Sequence, residues 1–435
     1  MQRITVSDLG KRLTESVVLE GWVQTIRAQK RMTFLILRDI TGAVQAVTGS
    51  DHPLAQRIKD LTIESVVRVE GQVKSEAQAP GGIEVILENV EVLSAAEPML
   101  PIPVVDKAGE VEQSKRLDWR WLDLRKSENQ RIFKVWTTME HAFRQYCVDA
   151  GYLEIHSPKL MSTSSESGAE LFEVRYFNRK AYLAQSPQFY KQMAMASGFE
   201  RVFETGPVFR ADPSFTSRHT TEFTGYDIEI SFVRSHHDVM AEEERIVIAM
   251  LQAIKERHGE EIRRSFNQEV TVPTLPFPKL EFREAKGVVK RLGVRSERPT
   301  DLSPEEERAL GEFALAEYGH PFLFVSDYPA AGRPFYHMRS ETDGLTTKSF
   351  DLLFKGVEIT TGAQREHRYA VLLAQVKEMG LRAEPLQFYL NFFRFGCPPH
   401  GGLGFGPARF VMQVLGLPNI RDVTLLPRTV NRLDP

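Results

Sequence analysis

The stretch RVFETGPVFRADPSFTSRHTTEFTGYDIE, residues 201–229, reads as a strand, a polar loop and a returning strand, and its reading decides the fold. It brings Arg210 to the end of the first strand, Asp212, Arg218 and His219 into the loop, and Glu222, Phe223, Asp227 and Glu229 into the return. Fixed cations on such a hairpin suit a nucleotide polyphosphate, because guanidinium groups meet phosphate oxygens bidentately. From this segment by itself, surface salt bridging accounts for the same charges. No glycine-rich phosphate loop of either common kind occurs in the chain.

Outward from this hairpin, further extended apolar runs fall at residues 181–184, 321–328 and 349–354, with helices inserted between them rather than in strict alternation. That order favours an antiparallel α+β domain over a doubly wound parallel sheet. Ile132, Val135, Trp136, Met139, Phe143, Cys147 and Ala150 recur at helical spacing and predict a helix over 128–150, with Cys147 as a small buried hydrophobe. Ser303-Pro304-Glu305-Glu306 is a capping box that opens a helix to about residue 318. The first hundred residues differ: five short β-branched runs at 17–23, 33–39, 43–47, 66–73 and 83–92 suit a small closed barrel. Two turns punctuate it, Asp39-Ile40-Thr41-Gly42, where Gly42 is expected at positive φ, and Ala79-Pro80-Gly81-Gly82. Such a barrel suggests an OB-fold, which binds single-stranded nucleic acid through its strands; a purely structural barrel fits the same pattern. Pro98, Pro101 and Pro103 mark a connector. The expected organisation is a barrel over 1–98, a connector over 99–127 and a larger domain over 128–435.

Composition narrows the function. The 435 residues are 42% hydrophobic and 26% charged, enough apolar material for more than one core. Basic and acidic residues nearly balance, 55 against 58, so any nucleic-acid binding rests on local patches and aromatic faces. Two cysteines exclude a disulfide scaffold and a cysteine-based metal cluster. No apolar run approaches the length that spans a bilayer, and no secretory signal opens the chain, so the expected location is the cytoplasm, without membrane contact.

Two downstream segments could complete a phosphate site. Asp351 and Glu358 flank an apolar strand, with Thr361 three residues on. Their odd spacing puts the two acids on opposite faces unless a bulge near Gly356 realigns them; paired carboxylates and a hydroxyl suit magnesium bridging phosphates. The run Gly401-Gly402-Leu403-Gly404-Phe405-Gly406-Pro407-Ala408-Arg409 places Arg409 in the first turn of an apolar helix, where anions are favoured, although a plain strand-to-helix turn uses glycines in the same way.

Taken in order, these segments resemble the signature motifs of the class II aminoacyl-tRNA synthetases, and more closely the aspartyl-tRNA synthetases of archaeal type. The resemblance spans Gly21-Trp22-Val23 and residues 34–39 in the barrel, then 117–125, 152–158, 183–192, 202–229, 358–365 and the segment ending at Arg409. It implies an N-terminal all-β OB-fold barrel that binds the anticodon, and a C-terminal α+β catalytic domain on an antiparallel sheet that dimerises through residues 152–158. It also implies ATP and Mg2+ as cofactors, L-aspartate as amino acid and tRNA(Asp) as acceptor, with aspartyl-adenylate as intermediate.

By the same resemblance, Arg210 and Arg409 are the catalytic arginines on the α- and γ-phosphates. Asp212, Arg218, His219, Thr220, Glu358 and Gly406 would contact ATP, and Phe223 would stack on adenine. Glu358, Thr361 and Asp351 would hold magnesium. Glu166, Gln188, Lys191, Arg210, Asp227, Thr361 and Arg365 would bind aspartate. Lys191 and Arg365 match the cations that hold the side-chain carboxylate, which separates aspartate from asparagine and repels lysine. In the barrel Arg27, Phe34 and Gln45 resemble anticodon contacts. Pro80 resembles the turn residue of relaxed enzymes that charge tRNA(Asn) as well, which implies a tRNA-dependent amidotransferase as partner. Three departures from the family pattern are Ala408 in place of Glu, Asp212 in place of Glu, and Leu426-Pro427-Arg428 in place of Phe-Pro-Arg.

Overall fold

The computed structural model describes residues 2–104, 111–163, 170–214 and 216–435. The chain forms two compact units, Met1–Val111 and Glu112–Pro435. In the first, β1 (Ser16–Ala28), β2 (Met32–Arg38), β3 (Ala43–Gly49), β4 (Val66–Ser75) and β5 (Ile83–Ser94) close into a barrel in the order β1-β2-β3-β5-β4, and α1 (Pro53–Lys59) follows β3. Alternation along β1 and β2 sends Leu19, Val23, Leu35 and Leu37 inward to meet Val67, Val69 and Val85 in one apolar core. The opposite alternation leaves polar and aromatic groups outside. The turn after β2 departs from expectation: Gly42 is not among the residues at positive φ. Asp39 shapes the turn instead, its Oδ1 accepting from the backbone N–H groups of Thr41 and Gly42 at 2.7 and 3.1 Å. Gly81 and Gly82, in the second turn, do adopt φ of 75°.

The second unit begins with α2 (Gln113–Asp118) and α3 (Arg120–Asp123), inside the stretch read from sequence as connector. Arg120, 1% exposed, donates to the carbonyls of Asp422, Thr424 and Leu425 and pairs with Asp123. Then come α4 (Ser127–Asp149), β6 (Leu153–Glu154), β7 (Leu160–Met161), β8 (Glu173–Tyr176), β9 (Arg179–Leu183) and α5 (Gln188–Ala196). Of the predicted face of α4, Ile132, Val135, Met139, Phe143 and Cys147 are buried, and Trp136 and Ala150 pack partly buried against the same core. The chain continues through β10 (Arg201–Phe209), β11 (Glu222–Ser231), α6 (His236–Phe266), β12 (Lys279–Glu281), α7 (Phe282–Arg291) and α8 (Pro304–Tyr318), whose Ser303 capping box forms as the sequence predicts. It ends with β13 (Phe322–Ser326), β14 (Ser349–Phe354), β15 (Val357–Gln364), α9 (Tyr369–Glu378), α10 (Gln387–Leu390), β16 (His400–Phe405) and α11 (Pro407–Leu415).

Eight of these strands form one sheet in the order β12-β13-β14-β15-β16-β11-β10-β6. Its pairings are antiparallel except at the two ends, β12 with β13 and β6 with β10. Residues of α4, α6 and α11 share one apolar core with the sheet, including Phe143, Val247, Phe350, Leu403 and Phe410. A small sheet, β7-β9-β8, lies apart from it in the hydrogen-bonding order. Among the described residues, no helix is long and apolar enough to cross a membrane.

Candidate active site

The β10–β11 hairpin pairs Val208 with Phe223 and Glu204 with Asp227, so Phe223, Gly225, Asp227 and Glu229 share one face of β11. On the next strand Gly404 stands opposite Asp227 and Gly402 opposite Glu229. Beyond it Thr361 stands opposite Gly404, and Ala363, two residues before Arg365, opposite Gly402. The glycines of β16 are therefore the middle of the sheet, where an absent side chain leaves room for acids from the neighbouring strand. A Cβ on Gly402 would lie 2.2 Å from the Glu229 carboxylate.

The acids of the 351–361 segment also reach a common face, by a bulge in a different place from the one expected. Lys355 and Gly356, both at positive φ, make a two-residue hairpin loop, which pairs Leu353 with Glu358 and Asp351 with Thr361. The register shifts between Leu352 and Leu353, which leaves Ile359 as the extra residue. Glu358 and Thr361 consequently face the same way, and Thr361 Oγ1 donates to Glu358 Oε1 at 3.2 Å. Gly356 is held against α8, where a Cβ on Gly311 would approach the Gly356 nitrogen to 2.3 Å.

A cavity of about 350 Å³ opens on this face. Lys191, Arg365, Arg210 and Arg409 all line it, as do Gln188, Asp212, Arg218, His219, Thr220, Phe223, Asp227, Glu358, Thr361 and Gly406. Asp351 stands one layer back. Arg333 grips its two oxygens at 3.1 and 2.6 Å and stacks 3.6 Å from the Tyr328 ring. Arg333 thus already pairs with the Asp351 carboxylate, which stands behind Glu358 and Thr361. Glu166, expected at the α-amino group, lies outside the described residues.

Two contact networks divide the cavity. In the first, Lys191 Nζ donates to Asp227 Oδ1 and to the Leu403 carbonyl, both at 2.9 Å, and lies 3.3 Å from Glu229. Arg365 Nε and Nη2 straddle the Glu229 carboxylate at 3.0 and 3.4 Å, and Nη2 also donates to the Gly402 carbonyl at 2.9 Å. Burial opposes ionisation of Glu229, but the charges of Arg365 and Lys191 together hold its carboxyl below the usual range. Gln188, also on the cavity wall, donates to Gln192, which reaches Tyr389 and His400.

In the second network, Arg210 lies with its guanidinium 5.5 Å from the centre of the Phe223 ring. Arg409, in the first turn of α11, donates to the Glu358 carbonyl at 2.9 Å and reaches His219 Nε2 at 3.5 Å. Burial first, then Arg409, lowers the His219 pKa and favours its neutral form. Arg218 binds Glu307 of α8 at 2.5 Å, and the same Glu307 oxygen accepts from the Glu358 N–H at 2.9 Å. Ala408, where the family pattern has an acid, is buried in the cavity wall.

Glu229, Glu307, Arg333 and His337 were not singled out as site residues from sequence. Glu229 had one legible signal, its i+2 spacing from Asp227 on the same strand. The other three enter from segments distant in the chain, and only long-range pairing brings them in. In the barrel, Arg27 pairs with Phe34 and Ile36 with Gln45, so Arg27, Phe34 and Gln45 share the outward face of β1-β2-β3. Gln45 Nε2 donates to Glu84 at 3.2 Å, and the Pro80 turn packs beside β3.

Residues 112–430 match the family model for class II tRNA synthetases (D, K and N), and residues 17–93 match the OB-fold nucleic acid binding domain. The chain is 42% identical over 424 residues to an aspartate–tRNA(Asp/Asn) ligase of Methanopyrus kandleri, covering 97% of this chain and 96% of that one. It is also 42% identical over 423 residues to an aspartate–tRNA(Asp) ligase of Picrophilus torridus, covering 97% of each. A solved structure of asparaginyl-tRNA synthetase from Pyrococcus horikoshii, complexed with asparaginyl-adenylate, superposes over 100% of both chains with a TM-score of 0.94 at 35% identity.

Proposed function

The chain belongs to the class II tRNA synthetases of the D, K and N group, and from that premise we propose that it is an aspartate–tRNA ligase that charges both tRNA(Asp) and tRNA(Asn). The observation that carries aspartate is the pair Lys191 and Arg365, two fixed cations in the wall of one cavity shared with Arg210 and Arg409. A second carboxylate on the substrate gains charge-assisted hydrogen bonds from both, the asparagine amide gains only weaker ones, and a lysine side chain is repelled.

In this reading Arg210 draws the α-carboxylate of aspartate toward the α-phosphate of ATP, Phe223 stacks on adenine, and Arg218, His219 and Arg409 hold the outer phosphates. One α-carboxylate oxygen attacks the α-phosphorus in line, the bond to the bridging oxygen breaks, and pyrophosphate leaves with the electron pair. The preplaced arginines stabilise the charge that develops. The 3′-terminal hydroxyl of tRNA then attacks the mixed anhydride and AMP departs. Magnesium, when bound, offsets phosphate charge, and the oxygens of Glu358 and Thr361 on one face suit such a hard cation.

The wider acceptor range is supported by the Asp/Asn name of the Methanopyrus kandleri relative and by Pro80 in the turn beside β3, next to the outward face carrying Phe34 and Gln45. Charging of tRNA(Asn) with aspartate requires an amidotransferase to finish the product. A homodimer through residues 152–158 is part of the same reading: β6 ends the sheet and exposes Leu153 to a second copy. Aspartylation of a purified tRNA(Asn) transcript is the test. Charging comparable to that of tRNA(Asp) is expected, and charging confined to tRNA(Asp) would overturn the wider range.

A further inference from the structure

Arg365 is held on two sides. Glu229 and the Gly402 carbonyl hold one; on the other, Arg365 Nη1 lies 3.1 Å from His337 Nε2. A guanidinium can only donate, so His337 Nε2 must accept, which places the imidazole proton on Nδ1. That Nδ1 is buried, with no hydrogen-bond partner among the described residues.

The backbone around His337 is fixed as firmly as the ring. His337 forms a β-bridge with Arg365 itself: Met338 N donates to the Gln364 carbonyl at 3.0 Å, and Glu366 N to the Tyr336 carbonyl at 2.9 Å. From α9, Gln375 donates to the carbonyls of Phe335 and His337. The Tyr336 ring lies 5.7 Å from the Arg365 guanidinium. Burial, followed by the charges of Arg365, Arg333 and Lys191, holds His337 well below the usual imidazole range, so it stays a neutral acceptor. Each of these contacts serves to keep one lone pair aimed at one guanidinium.

We infer that His337 is a positioning residue for substrate selection, its neutral Nε2 fixing the Arg365 guanidinium in the plane that meets the side-chain carboxylate of the amino acid. This deepens the proposed function and rests on Arg365 binding that carboxylate. Glutamine can place its Oε1 near the site of Nε2, whereas asparagine reaches only as far as Nδ1.

ATP–pyrophosphate exchange by the full chain, with aspartate and ATP each varied, separates the possibilities. His337→Leu and His337→Asn are expected to raise the aspartate KM about tenfold or more, the size of one lost charge-assisted hydrogen bond. The ATP KM should stay within about twofold, and His337→Gln should recover most of the loss. An unchanged aspartate KM in His337→Asn, or ATP and aspartate KM values that rise together, would overturn the role. If His337→Leu folds poorly, the Asn and Gln variants still decide. Arg365→Lys keeps the two layers apart: an unchanged aspartate KM there would overturn the reading of the pocket, while a damaged Arg365→Lys beside an intact His337→Asn would overturn only the role of His337.

Discussion

The two networks of the cavity are built on opposite terms. Around Lys191 and Arg365 every charge is buried, 1% and 2% exposed, and each cation meets carboxylates and backbone carbonyls. Around Arg210, Arg218 and Arg409 the cations stand at a strand end, on a loop and at a helix start, with Arg210 exposed to solvent. Burying unpaired charge is prohibitive, so a selective pocket has to bring its own counter-ions, whereas a polyphosphate that arrives, reacts and leaves is served by cations still partly in water. Selection is thus placed in fully buried, pre-paired charge, and phosphate handling in charge that is in part open to water.

The largest effect expected to break this comparison is Lys191→Met. It removes the cation and leaves Asp227 and Glu229 buried against an apolar side chain, so aspartate-dependent exchange should vanish, with a stability loss of roughly 3–5 kcal/mol. Unchanged exchange would contradict the assignment. Next comes one substitution made at both ends. Arg365→Lys loses a bidentate, plane-fixed group and should lower kcat/KM for aspartate by about a hundredfold; Arg409→Lys, on the solvated side, should lower kcat/KM for ATP by about tenfold. Equal losses would remove the distinction between a buried and a solvated end. Added salt should likewise raise the KM for ATP more than the KM for aspartate, because screening reaches exposed charges first.

The smallest effect concerns a buried acid that has no cation. Glu243 of α6 has the Thr360 hydroxyl near it and no cation among the described residues, and burial pushes its pKa from 4.5 up to about 8. The native state therefore favours the protonated form. Stability is fully present below pH 4.5 and falls as pH rises toward 8. Glu243→Gln should melt like the parent at pH 4 and later than it at pH 9, by on the order of 3 kcal/mol. Parallel melting curves across that range would show that Glu243 is compensated after all.

What the sequence made legible follows the same physics. The barrel strands, α4 and the capped start of α8 could be read because each is a local pattern of burial or capping. Arg210, Lys191, Arg365 and Arg409 could be named because each sits in a motif with an order along the chain. Gly42 misled because the Asp39 side chain takes over the work of a positive φ. The face of Glu358 depended on a bulge at Ile359 that spacing cannot show, and the pairing of Asp351 with Arg333, eighteen residues earlier, joins segments whose local pattern does not announce it. Glu307 and His337 come from segments whose local pattern announces only a helix and a loop.

The central claim is that two buried cations read a second carboxylate on the amino acid, and the similarity to an asparaginyl-tRNA synthetase makes the rival concrete. The most direct test is ATP–pyrophosphate exchange by the unaltered protein with aspartate and asparagine at matched concentrations. The account predicts exchange with aspartate and a rate with asparagine lower by at least about a hundredfold. Equal or faster exchange with asparagine would contradict it.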